Sequence, residues 1–324
     1  MLGEFELIER YFSNCGALRP DVVLGVGDDG AVMRVPEGWE LVAAVDTLVS
    51  GVHFPPDSPP ESIGHRALAV NLSDIAAMGA VPAWATLALT LPDVDASWLA
   101  GFAAGFGKLA QTHGVALVGG DTTRGALSVT VQVLGVVPAG QAIRRAGGKA
   151  GHRLFVSGHP GEAAAGLVIA QRSGAASASQ TQAQAQLRSR FEYPTPRVEL
   201  GLALRPWASA CIDVSDGLLA DIGKLAAASA TGASIDVAQL PLSADLIGEL
   251  GGSEAMVRAL GGGDDYELCF CIAPEKLTAF AAAGICERFS CQVIGALEAQ
   301  PGVRATRNGT QIRIEGSGFD HFRR

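Results

Sequence analysis

Seven aspartates stand at the ends of apolar or glycine-rich runs: Asp28 and Asp29 in GVGDDG, Asp46 after LVAAV, Asp74 in NLSDIAAMG, Asp121 in GGDTTRG, and Asp213 with Asp216 in CIDVSDG. One aspartate in such a place is usually a turn former or a cap. Seven point to cations. Carboxylates with few His or Cys partners suit hard Mg²⁺, which keeps its waters and is shared with phosphate oxygens. Asp213-Val-Ser-Asp216 can present two carboxylates and a hydroxyl from one strand-to-helix turn, and the helix N-terminus that follows favours a phosphate. Arg124 and the group Arg144, Arg145 and Lys149 flank glycines, where each is either a solvated surface charge or a phosphate contact. In GGGDDYEL, Asp264 and Asp265 fit an acidic site and a polar turn before a buried strand equally well. His53, in an apolar context, reads as structural from its residue type alone.

The familiar nucleotide motifs are absent. Gly25–Gly30 matches G-x-G-x-x-G, but AVMRVPEG after it alternates like a strand, whereas a dinucleotide fold needs a helix there. Its variable positions, Asp28 and Asp29, would repel a pyrophosphate with no cation between. Lys108 and Lys149 follow glycine, yet Leu109 and Ala150 stand where a P-loop needs Ser or Thr.

The elements that must position these residues alternate between strand-like and helix-like along 324 residues, which points to an α/β or α+β architecture of two domains. Ser58-Pro59-Pro60-Glu61 opens a helix that Gly79 and Pro82 close, with Ile63, Ala67, Val70 and Asp74 on one face. Asp74 follows the apolar stripe, which is costly for a carboxylate without a partner. A strand over 84–91, a helix bearing Trp98, Phe102, Phe106 and Leu109, and a strand over 127–137 complete the first half. The glycine- and cation-rich QAIRRAGGKAGH marks the boundary, giving domains 1–145 and 146–324. The second half restarts with RLFVSG as a strand and a helix over 162–172. Further strands are expected near 209–214, 233–237, 267–272 and 291–296, with a helix after Asp216. The Ala/Ser/Gln tract 172–190 reads as a mobile surface segment or an exposed helix.

Composition removes several classes of function. A net charge of −9 and a pI near 5.2 argue against nucleic acid or an anionic membrane as partner. Mean hydropathy is +0.27, but no apolar run approaches the roughly 18 residues of a spanning helix. The acidic N-terminus lacks the features of a signal peptide, so a cytoplasmic protein is expected. The six cysteines form no C-x-x-C pair and read as buried reduced thiols.

Taken together, GVGDDGA, DTLVSGVHF, ALAVNLSDIAAMGAVP, GGDTTRG, CIDVSDGL, GGGDDYELCF and the tail GFDHF resemble the thiamine-monophosphate kinase family, in order across nearly the whole chain. That family belongs to the aminoimidazole ribonucleotide synthetase-like superfamily, which uses ATP without a P-loop. The resemblance implies an N-terminal α/β domain forming a dimeric β-barrel with its twin, and a C-terminal α/β domain completing the active site. It implies Mg²⁺-dependent transfer from ATP to thiamine monophosphate in a homodimer. By the same resemblance Asp29, Asp46, Asp74, Asp121, Asp213 and Asp216 hold several Mg²⁺ ions, with Asp28 adjacent, and Asp121, Asp213 and Asp216 are the catalytic members. Gly120, Asp121, Arg145 and Ser215 would contact ATP, and His53, Asp264 and Phe319 would contact thiamine monophosphate. Two positions depart from the pattern: Ala44-Val45 stand where the family often has Ser-Thr, and Phe319 where it more often has Tyr. A selenophosphate synthetase-like relative, which needs a reactive cysteine such as Cys15, and a non-catalytic Mg-nucleotide-binding protein are the alternatives.

Overall fold

The computed structural model describes residues 3–173, 180–307 and 309–312. In chain order the elements are α1 (Glu4–Tyr11), β1 (Val22–Leu24), β2 (Val32–Met33), β3 (Trp39–Val49), α2 (Pro60–Ala77), β4 (Val81–Leu91), α3 (Ala96–Thr112), β5 (Ala116–Arg124), β6 (Ser128–Pro138), β7 (Arg153–Ser157), α4 (Glu162–Ser173), α5 (Gln182–Glu192), α6 (Val198–Leu204), β8 (Ala208–Val214), α7 (Leu218–Ala228), β9 (Gly232–Asp236), α8 (Ala244–Leu250), α9 (Gly252–Gly261), β10 (Glu267–Ile272), α10 (Leu277–Ala282), α11 (Ile285–Phe289), β11 (Cys291–Glu298), β12 (Gly302–Arg307) and β13 (Thr310–Ile312). They form two compact units, and the main break falls after Gln141 where the sequence reading places it after Arg145. Most strand pairs are antiparallel, β4 with β5 and β9 with β12 being the parallel ones, so the α+β description fits better than α/β.

The first unit carries the four-stranded sheet β3-β6-β4-β5. Alternation along β3, β4 and β6 buries Leu48, Leu89 and Val129 in one cross-strand row, while Leu41 and Val45 of β3 stay 50% and 60% exposed. The hairpin β1–β2 packs Val22 and Met33 against Trp84, Val118 and Val136. It is preceded by Asp21, which takes both Arg19 and the indole N–H of Trp84. Helix α3 starts at an Asp95 cap and buries Phe102, Phe106 and Leu109, as its spacing predicts. GGDTTR, for which the sequence pattern suggests no strand, is the outer half of β5, because its backbone completes the parallel ladder to β4.

The second unit carries the seven-stranded sheet β13-β12-β9-β11-β7-β10-β8. Every residue of β10 is buried: Cys269 and Cys271 join Ile212, Leu218, Ile222 and Leu225 in one core, and Phe270 stacks on Phe155 with Phe280 edge-on. The cysteines therefore act as small core hydrophobes, and burial pushes the Cys271 thiol up to about 12. In the tract 172–190 the helical alternative holds for its second half, with one face buried. Thr181 and Gln184 form a capping box that starts α5, and Leu187 and Phe191, one turn apart, are buried. Residues 174–179 of that tract lie outside the described residues.

Helices α2 and α3 touch backbone to backbone. A Cβ at Gly105 would lie 1.9 Å from the Glu61 carbonyl oxygen, and one at Gly64 would lie 2.1 Å from that of Phe102. Alanine is the better helix former by about 1 kcal/mol, but overpacking a rigid backbone contact costs about 1–3 kcal/mol. Gly105→Ala is therefore expected to lower the midpoint of urea unfolding despite its propensity; an unchanged or raised midpoint would show that the two helices part freely.

Candidate active site

A cavity of about 380 Å³ opens in the first unit between α1, the segment 26–31 and the β4–β5 edge. Ile8, Phe12, Leu87 and Leu117 give it an apolar side, and Asp28, Asp29 and Asp121 give it carboxylates. Among the described residues its lining contains no Lys, Arg or His. The structure thus brings together Asp28, Asp29, Gly120 and Asp121 from two segments more than ninety positions apart. Gly120 is required by close approach: a Cβ there would lie 1.8 Å from the Leu87 carbonyl oxygen. Ile8 and Phe12 were missed by the sequence reading, since a short N-terminal helix carries no chemical motif.

Asp46 belongs to the same cross-strand row as Gly120, through Val131 and Leu87. It is half-buried on the face that carries Leu48, and Asp74 is half-buried near the end of α2. Neither lines the cavity. His53 follows β3, and its Nδ1 accepts the Val49 backbone N–H at 3.0 Å, so the neutral ring carries its proton on Nε2.

In the second unit the turn between β8 and α7 presents Asp213, Ser215 and Asp216. Asp213 is 4% exposed, on a strand paired with β10. The Ser215 carbonyl accepts the Asp264 N–H at 2.9 Å and the Val214 carbonyl accepts that of Tyr266 at 2.8 Å. GGGDDYEL is thereby laid beside CIDVSDG, and Asp264 is a neighbour of Ser215 and Asp216. Asp264 and Tyr266 both have positive φ, 71° and 51°, and the Tyr266 hydroxyl donates to Asp264 Oδ1 at 3.1 Å. Such backbone conformations cost of order 1–3 kcal/mol each and persist where the surroundings enforce them. The carboxylates of the adjoining residues 265 and 267 are anchored to other elements. Asp265 accepts the Gly161 and Ala163 N–H groups at the start of α4, and Glu267 binds Arg197 and the Ser157 hydroxyl.

Asp221 and Lys224 were also missed. Asp221 Oδ2 accepts the N–H groups of Ser215 and Asp216 at 2.9 and 3.0 Å, and Lys224 Nζ reaches both Asp221 and Asp216. Desolvation pushes the Asp221 carboxyl above its ordinary range, with Lys224 and the amide bonds opposing it. The signal in the sequence is the acidic–basic pair three residues apart on one helix face. Arg145 is exposed in the second unit, in the segment before β7, its carbonyl held by Ser229 Oγ. Phe319 lies outside the described residues.

Among the described residues no three His, Cys, Asp or Glu side chains converge enough to hold a metal ion unaided. The donors are nevertheless of the right chemistry for Mg²⁺, which takes one or two carboxylates and fills its remaining positions with water and phosphate oxygens. Cys15 does not have the chemistry of a nucleophile: burial pushes its thiol up to about 11.

The sequence matches the AIR synthase related protein N-terminal domain over residues 27–137 and the AIR synthase related protein C-terminal domain over residues 149–308. It is 45% identical over 323 residues to the thiamine-monophosphate kinase of Salmonella typhimurium, spanning 99% of this chain and 98% of that one. The crystal structure of thiamine-monophosphate kinase from Stenotrophomonas maltophilia K279a superposes with a TM-score of 0.84 at 45% identity, over 91% of this chain and 93% of that one. AaThiL complexed with AMPPCP and TMP superposes at 0.79 and 28% identity, over 99% and 97%.

The Cys15 thiol is expected to be alkylated by iodoacetamide at pH 7.5 about a hundredfold or more slowly than an ordinary exposed cysteine, with the rate still rising at pH 10, because only the thiolate reacts. Peptide mass spectrometry of the native protein reads this, and fast labelling at neutral pH would restore Cys15 as a candidate nucleophile.

Proposed function

The chain belongs to the thiamine-monophosphate kinase family, and from that premise we propose that it transfers the γ-phosphoryl group of ATP to thiamine monophosphate, giving ADP and thiamine diphosphate. The observation that carries this reading is near-whole-chain identity of 45% with a thiamine-monophosphate kinase. The cavity chemistry agrees with it. A wall of carboxylates without cations cannot take a polyphosphate directly, but it takes one that arrives with Mg²⁺, while the apolar side accepts a flat ring.

The acceptor sets modest demands on the protein. A phosphate monoester has its second pKa near 6, so its oxygen is already largely ionised at neutral pH and no side chain has to remove a proton. The barrier is the approach of two anions, and the protein's task is to align them in line and screen their charge. Asp29, Asp46, Asp74 and Asp121 of the first unit and Asp213 and Asp216 of the second would hold several Mg²⁺ ions, which supply the neutralising charge when bound. Gly120, Arg145 and Ser215 would hold ATP. The left-handed Asp264 beside Ser215 supports placing thiamine monophosphate near that turn, with His53 and Phe319 as its other contacts.

The same reading extends to assembly. The face of β3 that leaves Leu41 and Val45 exposed is apolar and would pair with the corresponding face of a second copy, closing a barrel in a homodimer. No helix among the described residues is long and apolar enough to cross a membrane. A reaction that spends ATP belongs in the cytoplasm.

Purified protein with ATP and Mg²⁺ is expected to form ADP and thiamine diphosphate in equal amounts from thiamine monophosphate and nothing from free thiamine. Absence of product from either acceptor, with Mg-ATP still binding, would leave a nucleotide-binding protein. His53→Ala is expected to raise KM for thiamine monophosphate about tenfold or more while changing KM for ATP less than about twofold. Equal rises would remove His53 from the acceptor's contacts.

A further inference from the structure

The carboxylate of Asp221 is 1% exposed, and it is satisfied by groups that all belong to one turn and one helix. Oδ2 takes the consecutive N–H groups of Ser215 and Asp216, and Oδ1 takes Lys224 Nζ at 2.7 Å. Two adjacent amides converging on a single oxygen fix the peptide planes between Val214 and Asp216, and with them the directions in which Ser215 and Asp216 leave the backbone. Lys224 then closes the ring by bonding the Asp216 carboxylate itself. A carboxylate this deeply buried is costly unless all its acceptor sites are used. Here they are used on the turn and not on the surrounding core.

We propose that Asp221 and Lys224 are positioning residues for the phosphoryl transfer, Asp221 by setting the backbone of the Ser215-Asp216 turn and Lys224 by holding the Asp216 carboxylate toward its ligand. This rests on the reading that Asp216 belongs to the magnesium-dependent site. Neither residue touches substrate in this assignment. Both act through the turn, as the hydrogen-bonded partners behind metal-binding carboxylates do.

The test is steady-state thiamine diphosphate formation by the full chain, with both substrates fixed and free Mg²⁺ varied, for Asp221→Asn, Lys224→Gln and Asp216→Asn. Asp221→Asn is expected to raise the Mg²⁺ concentration for half-maximal rate about 10- to 100-fold, with circular dichroism unchanged. Lys224→Gln keeps the amide bonds of the turn and is expected to shift the same midpoint about two- to fivefold upward, as for one partly exposed ion pair. A purely structural role would lower thermal stability and leave the Mg²⁺ midpoint in place. If Asp216→Asn abolishes activity while both other variants keep the wild-type midpoint, the inference is overturned and the reading of the turn survives. If Asp216→Asn itself behaves as wild type, the reading of the turn fails and takes the inference with it. Should Asp221→Asn not fold, Lys224→Gln decides alone, and a wild-type midpoint there overturns the proposal.

Discussion

Register within the four-stranded sheet is the constraint on which the first unit depends. One cross-strand row joins Asp46, Val131, Leu87 and Gly120, and the next joins Thr47, Thr130, Ala88 and Asp121. The row Leu48–Val129–Leu89 is buried, so a slip of one residue in any pairing would exchange core side chains for residues of the other face such as Thr47 or Thr130. The irregularity between Ala85 and Thr86 lets β5 enter the ladder with one extra residue and sets Gly120 against Leu87. Apolar burial thereby fixes where the acidic residues fall, without those residues contributing to the choice.

Enclosed and open carboxylates occur side by side in this chain, and examples from the two units show the difference. In the second, Asp221, Asp265 and Glu267 are each enclosed by amides, a hydroxyl or a cation, and each ties two segments of the unit together. They are structural anions whose ligands are part of the fold. In the first, Asp28, Asp29 and Asp121 line an open cavity with no basic residue in its wall among the described residues. Ions of that second kind are compatible with folding because water solvates them. The contrast separates scaffold from reagent by environment, where residue type alone does not.

That distinction is also what the sequence conceals. Helices α2 and α3 and strands β4, β6, β7, β8 and β10 are legible because their apolar periods are long and uninterrupted. The Asp213–Asp216 turn is legible because a strand pattern and a helix pattern meet at it. No strand is expected at GGDTTRG because glycines weaken the local strand pattern, while the parallel partner that makes it one lies about thirty residues away. Helix α5 is the helical one of the two readings its low-complexity tract allows, and composition does not choose between them because few of its residues, Leu187 and Phe191 among them, carry its packing. Asp221 and Lys224 form an ordinary helix pair in the sequence. Their importance appears only when the turn folds back over the start of α7.

The paired positive-φ residues Asp264 and Tyr266 have a consequence for how this segment can drift over generations. Asp, Asn and Gly enter the left-handed region readily, and β-branched residues do not. Replacement at either position is thus sieved by backbone torsion before ligand chemistry is consulted. At Asp264 the sieve passes mainly Asn and Gly, a narrow alphabet. Tyr266 is the less comfortable occupant, and its hydroxyl bond to Asp264 couples the two letters, so a change at one is most readily accepted together with a change at the other. Innovation at this corner of the molecule should come in linked steps, with the torsional filter setting the pace.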